Sequence, residues 1–239
     1  MTDDAVDPVL LDADLTDQWD GIVDWLRSLD DDVFDAITLL PGWRVRDLVA
    51  HLGEAMGVLA GAQPVDGNDV PANEKRHDLA GYLRSYADNA DGIRDRAVEV
   101  AEHRVADPVG ALEEKGQAAI TNLALLRRDG VALVRVRRGL VPLTTLVLTR
   151  LVELVVHADD LSRSVHVTSP VDPTARTIVA RELLAIVRRR SGHDVDVADE
   201  RDWIRLATGR TTWQQRGNAL RPGNLAEGLP DLSGYLPLL

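Results

Sequence analysis

The sequence predicts an α+β chain that is mainly α: a helical bundle over residues 1–168 followed by a small α/β unit over residues 169–239. Two observations carry this reading. Before residue 165, apolar residues recur at three- and four-residue steps almost everywhere, the signature of amphipathic helices. Past Ser169-Pro170 the chain is cut into short pieces by Gly192, Gly209, Gly217, Gly223, Gly228 and Gly234, too many turns for a bundle.

Each element has its own warrant. Leu15, Trp19, Ile22, Val23, Leu26 and Leu29 predict a first helix, with Asp14 or Thr16 as its cap. After the turn at Pro41-Gly42, the run Val45, Leu48, Val49, Leu52, Ala55, Met56 and Leu59 predicts a second, stopped by Gly61 and Pro64. Residues 63–73, QPVDGNDVPAN, read as loop. A third helix from about Glu74 to Arg104 carries Leu79, Tyr82, Leu83, Tyr86, Ala90 and Ile93, with a weak point at Gly92. Asp107-Pro108 is a cap followed by proline at the first helical position, opening a fourth helix through Leu112, Ala119, Leu123 and Leu126. VALVRVRRG, 131–139, alternates as a short strand or an extended connection would. Pro142 opens a long apolar helix through Leu161, and another helix is expected from about Pro173 to Arg190.

Composition removes several classes of function. The 239 residues include 45% hydrophobic and 28% charged side chains, enough to build a sizeable core. Lys and Arg number 27 against 39 Asp and Glu, a net charge of −12 that makes nucleic acid a poor partner. Many of the acids crowd the N-terminal segment from Asp3 to Asp35, where Arg27 is the single basic residue; a solvated acidic face explains them without chemistry. There is no cysteine, so disulfides, thiolate metal sites and a cysteine nucleophile are excluded, and any thiol chemistry must use an imported thiol. MTDDAVDPVL lacks the basic start and apolar run of a signal peptide. The most apolar stretch, Leu140 to Ala158, is interrupted by Arg150, Glu153 and His157. A soluble cytoplasmic protein without a membrane partner is the expectation.

One constellation stands out. Glu153 and His157 lie at i and i+4 of one helix, so both project from the same face one turn apart, a spacing that can clamp a cation. Their flanks, Leu151, Val152, Leu154, Val155 and Val156, are so apolar that two ionisable groups would be costly to bury without a partner. His51 sits between Leu48 and Leu52 on the second helix and would face the same core. Three ligands of the His2Glu type leave a fourth tetrahedral position open, the pattern of a catalytic zinc site. Taken alone, the pair also reads as a hydrogen-bonded core pair and His51 as a satisfied core histidine.

Two segments carry a family resemblance. LLPGWRVRDLVAHL, 39–52, resembles the opening signature of the mycothiol-dependent maleylpyruvate isomerase family within the DinB-like superfamily, and PLTTLVLTRLVELVVHADDL, 142–161, resembles its second signature. The resemblance covers roughly residues 10–165 and implies a DinB-like four-helix bundle in which His51, Glu153 and His157 ligate a divalent ion, usually zinc. It also implies mycothiol as the imported thiol. RDWIRLATGRTTWQQ, 201–215, and DLSGYLPLL, 231–239, resemble a short bacterial sterol carrier protein-like domain, although about 70 residues are few for a deep lipid tunnel.

Around that site the sequence offers further candidates. Asp160, three residues after His157, could accept its second imidazole proton; a helix-surface role is the plainer reading. Arg210 in LATGR could bind a substrate carboxylate through its planar fork, in competition with Arg205, Arg216 and Arg221. Trp43 reads as a packing wedge rather than a stacking surface. Arg137-Arg138 could recognise an anionic group of a thiol cofactor, against the simpler reading of a solvated strand edge. His77, His103, His166 and His193 lack a partner at ligand spacing. The expected function is a metal-dependent, thiol-using isomerase or S-transferase acting on a small electrophile. The alternatives are a carrier of an apolar ligand with a non-catalytic bundle, and a purely structural bundle.

Overall fold

The computed structural model describes residues 6–67, 70–71, 74–87, 90–103, 107–224 and 228–239. It is mostly helical, with two small antiparallel sheets. Helix α1 spans Pro8–Arg27 and buries Leu11, Leu15, Trp19, Ile22 and Leu26. It begins before the predicted cap at Asp14 or Thr16. Asp7 is the N-cap, accepting from the Val9 amide at 2.8 Å, and Pro8 takes the first turn; Thr16 instead donates to the Asp12 carbonyl. Asp107 before α5 (Pro108–Arg128) and Asp172 before α7 (Pro173–Ser191) repeat the Asp-Pro device.

Helix α2, Val45–Ala60, starts where Asp47 accepts from the Arg44 amide at 2.7 Å. Its last carbonyls are satisfied by Asn122 of α5, which donates to Leu59 and Ala62. The helix expected from about Glu74 to Arg104 starts at Leu79 and is described over α3 (Leu79–Ala87) and α4 (Ala90–His103), with Gly92 inside α4. Residues 88–89 and Arg104 lie outside the described residues.

Within the segment read as loop, β1 (Gln63–Pro64) pairs with β2 (Leu133–Val136), which in turn pairs with β3 (Gly139–Pro142), giving an antiparallel sheet in the order β1-β2-β3. Residues 131–139 are thus a strand and a tight turn. Pro142 then caps α6, Leu143–Val165, whose buried residues lie around most of its circumference. It packs against α1, α2, α3 and α7, and is the central rod of the fold. A helix apolar all round must be enclosed, and this enclosure also traps Thr149, Arg150, Glu153 and Asp160.

After α7 come β4 (Val195–Val197), α8 (Glu200–Ala207), α9 (Trp213–Arg216) and β5 (Leu220–Pro222), with β4 and β5 antiparallel. The buried Trp203 indole donates to the Ala180 carbonyl at 2.9 Å, fixing α8 on α7. Gln18, fully buried on α1, donates to the Pro170 carbonyl and accepts from the Asp172 amide, and the hydrophobic core runs without interruption from Leu11 to Leu238. Among the described residues no helix is long and apolar enough to cross a membrane.

Candidate metal centre

His51 projects from α2 toward Glu153 and His157 on α6. His51 Nε2 lies 3.0 Å and His157 Nε2 3.3 Å from the same oxygen, Oε2 of Glu153. One ligand atom from each of the three residues falls within a 4.8 Å cluster. The two imidazoles meet edge to face at 4.8 Å between centroids, so their nitrogens converge rather than stack. Ligands about 2.0–2.1 Å from a tetrahedral centre are separated by about 3.3 Å, close to the spacing of these donors.

The electrostatics differ among the three. Burial pushes His51 below the ordinary histidine value, with Glu153 only partly opposing it. For His157 burial acts in the same direction, but the hydrogen bonds to Asp160 and Glu153 outweigh it and the pKa is raised. Burial pushes the Glu153 carboxyl up; bonds from His157 and His51 more than offset this and hold it well below the usual carboxylate range. The site is therefore an ionised carboxylate between two imidazoles whose pKa values are pushed in opposite directions.

Asp160 accepts from His157 Nδ1 at 3.1 Å, leaving Nε2 as the nitrogen turned to Glu153. Asp160 is 1% exposed and is also held by Arg210, whose Nη2 donates at 2.7 Å. The other three arginines from the same stretch are engaged elsewhere: Arg205 grips Asp159 at 2.7 and 2.8 Å, Arg216 pairs with Asp202, and Arg221 with Asp196. Arg210 lines a cavity of about 510 Å³ together with Trp43, Glu153, Val156 and His157. Trp43 meets the His51 ring edge-on at 5.5 Å, so it forms part of the cavity wall rather than only wedging the loop.

Sequence reasoning overlooked Arg150 and Tyr86. Arg150, 2% exposed, donates to the Ala55 carbonyl at 2.7 Å and to the Tyr86 hydroxyl. Burial raises the Tyr86 pKa well above its ordinary value, so the hydroxyl keeps its proton while it accepts from Arg150. A usable signal was present: Arg150 precedes Glu153 by three residues on an apolar helix, hence on the same face. Of the remaining histidines, His103 bonds the Glu99 carbonyl, His77 bonds the Arg138 carbonyl and His193 is exposed; none joins the cluster.

Residues 15–162 match the family model described as the mycothiol maleylpyruvate isomerase N-terminal domain, a span that takes in all three clustered residues. The chain belongs to this family. Among solved structures, the chain resembles a mycothiol-dependent maleylpyruvate isomerase with a TM-score of 0.54 at 14% identity, over 76% of this chain and 70% of that one. A histidine-to-alanine variant of such an isomerase aligns over the same shares at 16% identity and a TM-score of 0.48. At these identities the likeness is one of fold. No curated protein matches the chain. The family match ends before the segment likened to a sterol carrier domain.

Proposed function

We propose that the chain is a metal-dependent enzyme that uses a low-molecular-weight thiol, mycothiol or a close analogue, in an isomerisation or S-transfer on a small electrophile. The observation that carries this reading is the convergence of His51, Glu153 and His157 on one point beside an open cavity. Their donor set and spacing suit a divalent ion, and zinc is the metal we favour; nickel, iron or cobalt share the ligand preferences. When bound, such an ion supplies a Lewis acid that stabilises a thiolate near neutral pH, the nucleophile this cysteine-free chain lacks.

The protein's own groups have distinct tasks. Asp160 fixes the His157 tautomer, and Arg210 keeps Asp160 ionised while facing the cavity. Arg150 and Tyr86, bonded to each other, share a cavity wall with Glu153. Trp43, Ile93, Val152 and Val156 line the cavity and limit water around the reacting atoms. Addition of the thiolate to an electrophilic carbon followed by its departure gives isomerisation; retention of the C–S bond gives S-transfer. We also propose that residues 1–168 and 169–239 are separate structural units, the second sterol carrier-like. In support, a two-stranded sheet accompanies its helices.

The test is metal content and zinc affinity of protein purified without added chelator, together with the absorbance of a bound thiol against pH. The expected outcome is stoichiometric metal and a thiol pKa brought from about 8.5 toward or below neutrality. His157→Ala should lose both effects and His193→Ala neither. Thiol activation that survives complete metal removal would sink this function.

A further inference from the structure

A second cavity of about 360 Å³ shares His51, Tyr86, Ile93 and Glu153 with the first, and its walls also include Arg96, Arg137 and Arg138. Part of that wall is the two-residue turn Arg137-Arg138 between β2 and β3. Such turns ordinarily hold Asn-Gly or Gly-rich pairs, because their backbone requires positive φ. Here neither arginine has positive φ, and the strained conformation falls on Gly139 at +118°. The turn is also pinned from below: His77 Nε2 donates to the Arg138 carbonyl at 3.0 Å, and the His77 amide donates to the Leu140 carbonyl at 2.9 Å. The chain thus holds two arginines at a fixed turn where backbone preference does not ask for them.

Among the described residues neither arginine is paired with a carboxylate. Arg96 in the same wall pairs with Glu54, and nearby Arg135 pairs with Glu74. Arg138 has neutral partners only: it donates to the Ser85 carbonyl and hydroxyl at 2.9 and 3.0 Å, and its guanidinium lies 4.8 Å over the Tyr86 ring. Arg137 is exposed and has no hydrogen-bond or ion-pair partner among the described residues. In a chain with 39 acids against 27 bases, the Arg138 contacts anchor its guanidinium, but among the described residues no carboxylate pairs with either of these two adjacent arginines of one cavity wall, where Glu54 is already paired with Arg96 and Glu153 with His51. Arg210 does not fill this role, since it is tied to Asp160 on the other side of the cluster.

We propose that this cavity is an oxyanion-receiving subsite, in which Arg137 and Arg138 take a carboxylate or phosphate group of a small ligand whose far end lies beside His51 and Glu153. The Arg138 fork, held in place by Ser85 and Tyr86, loses little freedom on binding, and the exposed Arg137 adds a second charge to the same wall. Only the identity of the ligand's reactive end rests on the function proposed above; the anion contact stands on these residues alone.

The experiment is calorimetric titration of malonate, and separately of inorganic phosphate, into full-length protein stripped of metal and freed of chelator. Zinc affinity is measured on the same preparations. Saturable binding that weakens with salt is expected, falling about tenfold in Arg138→Ala and in Arg137→Ala and largely retained in Arg138→Lys. Arg128→Ala, at an exposed pair with Asp129, should bind like the parent. Malonate alone binding identifies a carboxylate subsite and phosphate alone a phosphate subsite; either supports the proposal. If Arg138→Ala does not fold, Arg137→Ala decides. Binding of neither anion, or binding unchanged in Arg137→Ala, overturns it. Zinc binding without anion binding sinks the subsite and leaves the proposed function; anion binding without zinc binding does the reverse.

Discussion

The α1–α5 and α2–α6 contacts are built on opposite plans. Between α1 and α5 the centre is apolar and so close that a Cβ on Gly116 would come within 2.1 Å of the Trp19 indole, while the polar links, Arg127 to Asp12 and Arg27 to Glu113, stay at the rim. Between α2 and α6 the centre itself is polar, holding His51, Arg150 and Glu153, with leucines and valines around it. Burying ionisable groups costs stability unless each is paired, and a bundle selected for stability alone would fill this space with hydrocarbon. The difference separates the contact that holds the bundle together from the contact that is arranged for chemistry.

If that division is right, the two contacts should fail differently. The largest effect on folding is expected from Gly116→Ala, which forces Trp19 and two helices apart and should cost about 3 kcal/mol in denaturant unfolding while leaving zinc affinity per folded molecule unchanged. His157→Ala should behave inversely. Zinc affinity measured by chelator competition should fall by roughly a hundredfold or more through loss of one of three ligands. Metal-free stability should change less than in Gly116→Ala, because Asp160 keeps Arg210 and Glu153 keeps His51.

Asp160→Asn should lower zinc affinity by about tenfold, since the amide holds the His157 tautomer less firmly. It also has a pH signature. Burial raises the Asp160 carboxyl, but His157 and Arg210 outweigh it and the folded-state pKa lies below the ordinary 3.8. The stability this carboxylate contributes is therefore complete above about pH 4 and is lost as the pH falls toward the folded value. Acid unfolding followed by circular dichroism should begin at lower pH in the parent than in Asp160→Asn, and the stability difference between the two should shrink as the pH falls below about 4, giving the variant the shallower acid limb. The smallest effect belongs to Asn122→Ala at the end of α2, about 1 kcal/mol through two carbonyl contacts, with zinc affinity unaltered. A variant that moved stability and zinc affinity together at Gly116 would show that the two contacts are mechanically one.

Local rules made much of the fold legible. The spacing of Leu48, Leu52, Met56 and Leu59 defines a helix face whatever it packs on, because 3.6 residues per turn depends on the backbone alone. Proline after aspartate marks a helix start, and Asp7-Pro8 carries that signal as plainly as Asp107-Pro108 does, more plainly than Asp14 or Thr16. The strand β1 is two residues long, too short for any periodicity to mark it.

What the sequence determined by itself about this protein is therefore what lies within one helical turn or one hairpin: the helices, the caps, the shared face of Glu153 and His157, the absence of any cysteine, and the two signatures that resemble the family. What only the tertiary structure decided is which distant groups meet. It brought His51 within 3.0 Å of a carboxylate 102 residues away, chose Arg210 over three neighbouring arginines as the partner of Asp160, and set Arg150 and Arg138 on the same tyrosine, Tyr86. The physical reason is that side-chain spacing along a helix follows from bond geometry, whereas contacts across the bundle follow from how the apolar faces pack, a property of the whole core that no local run of residues contains.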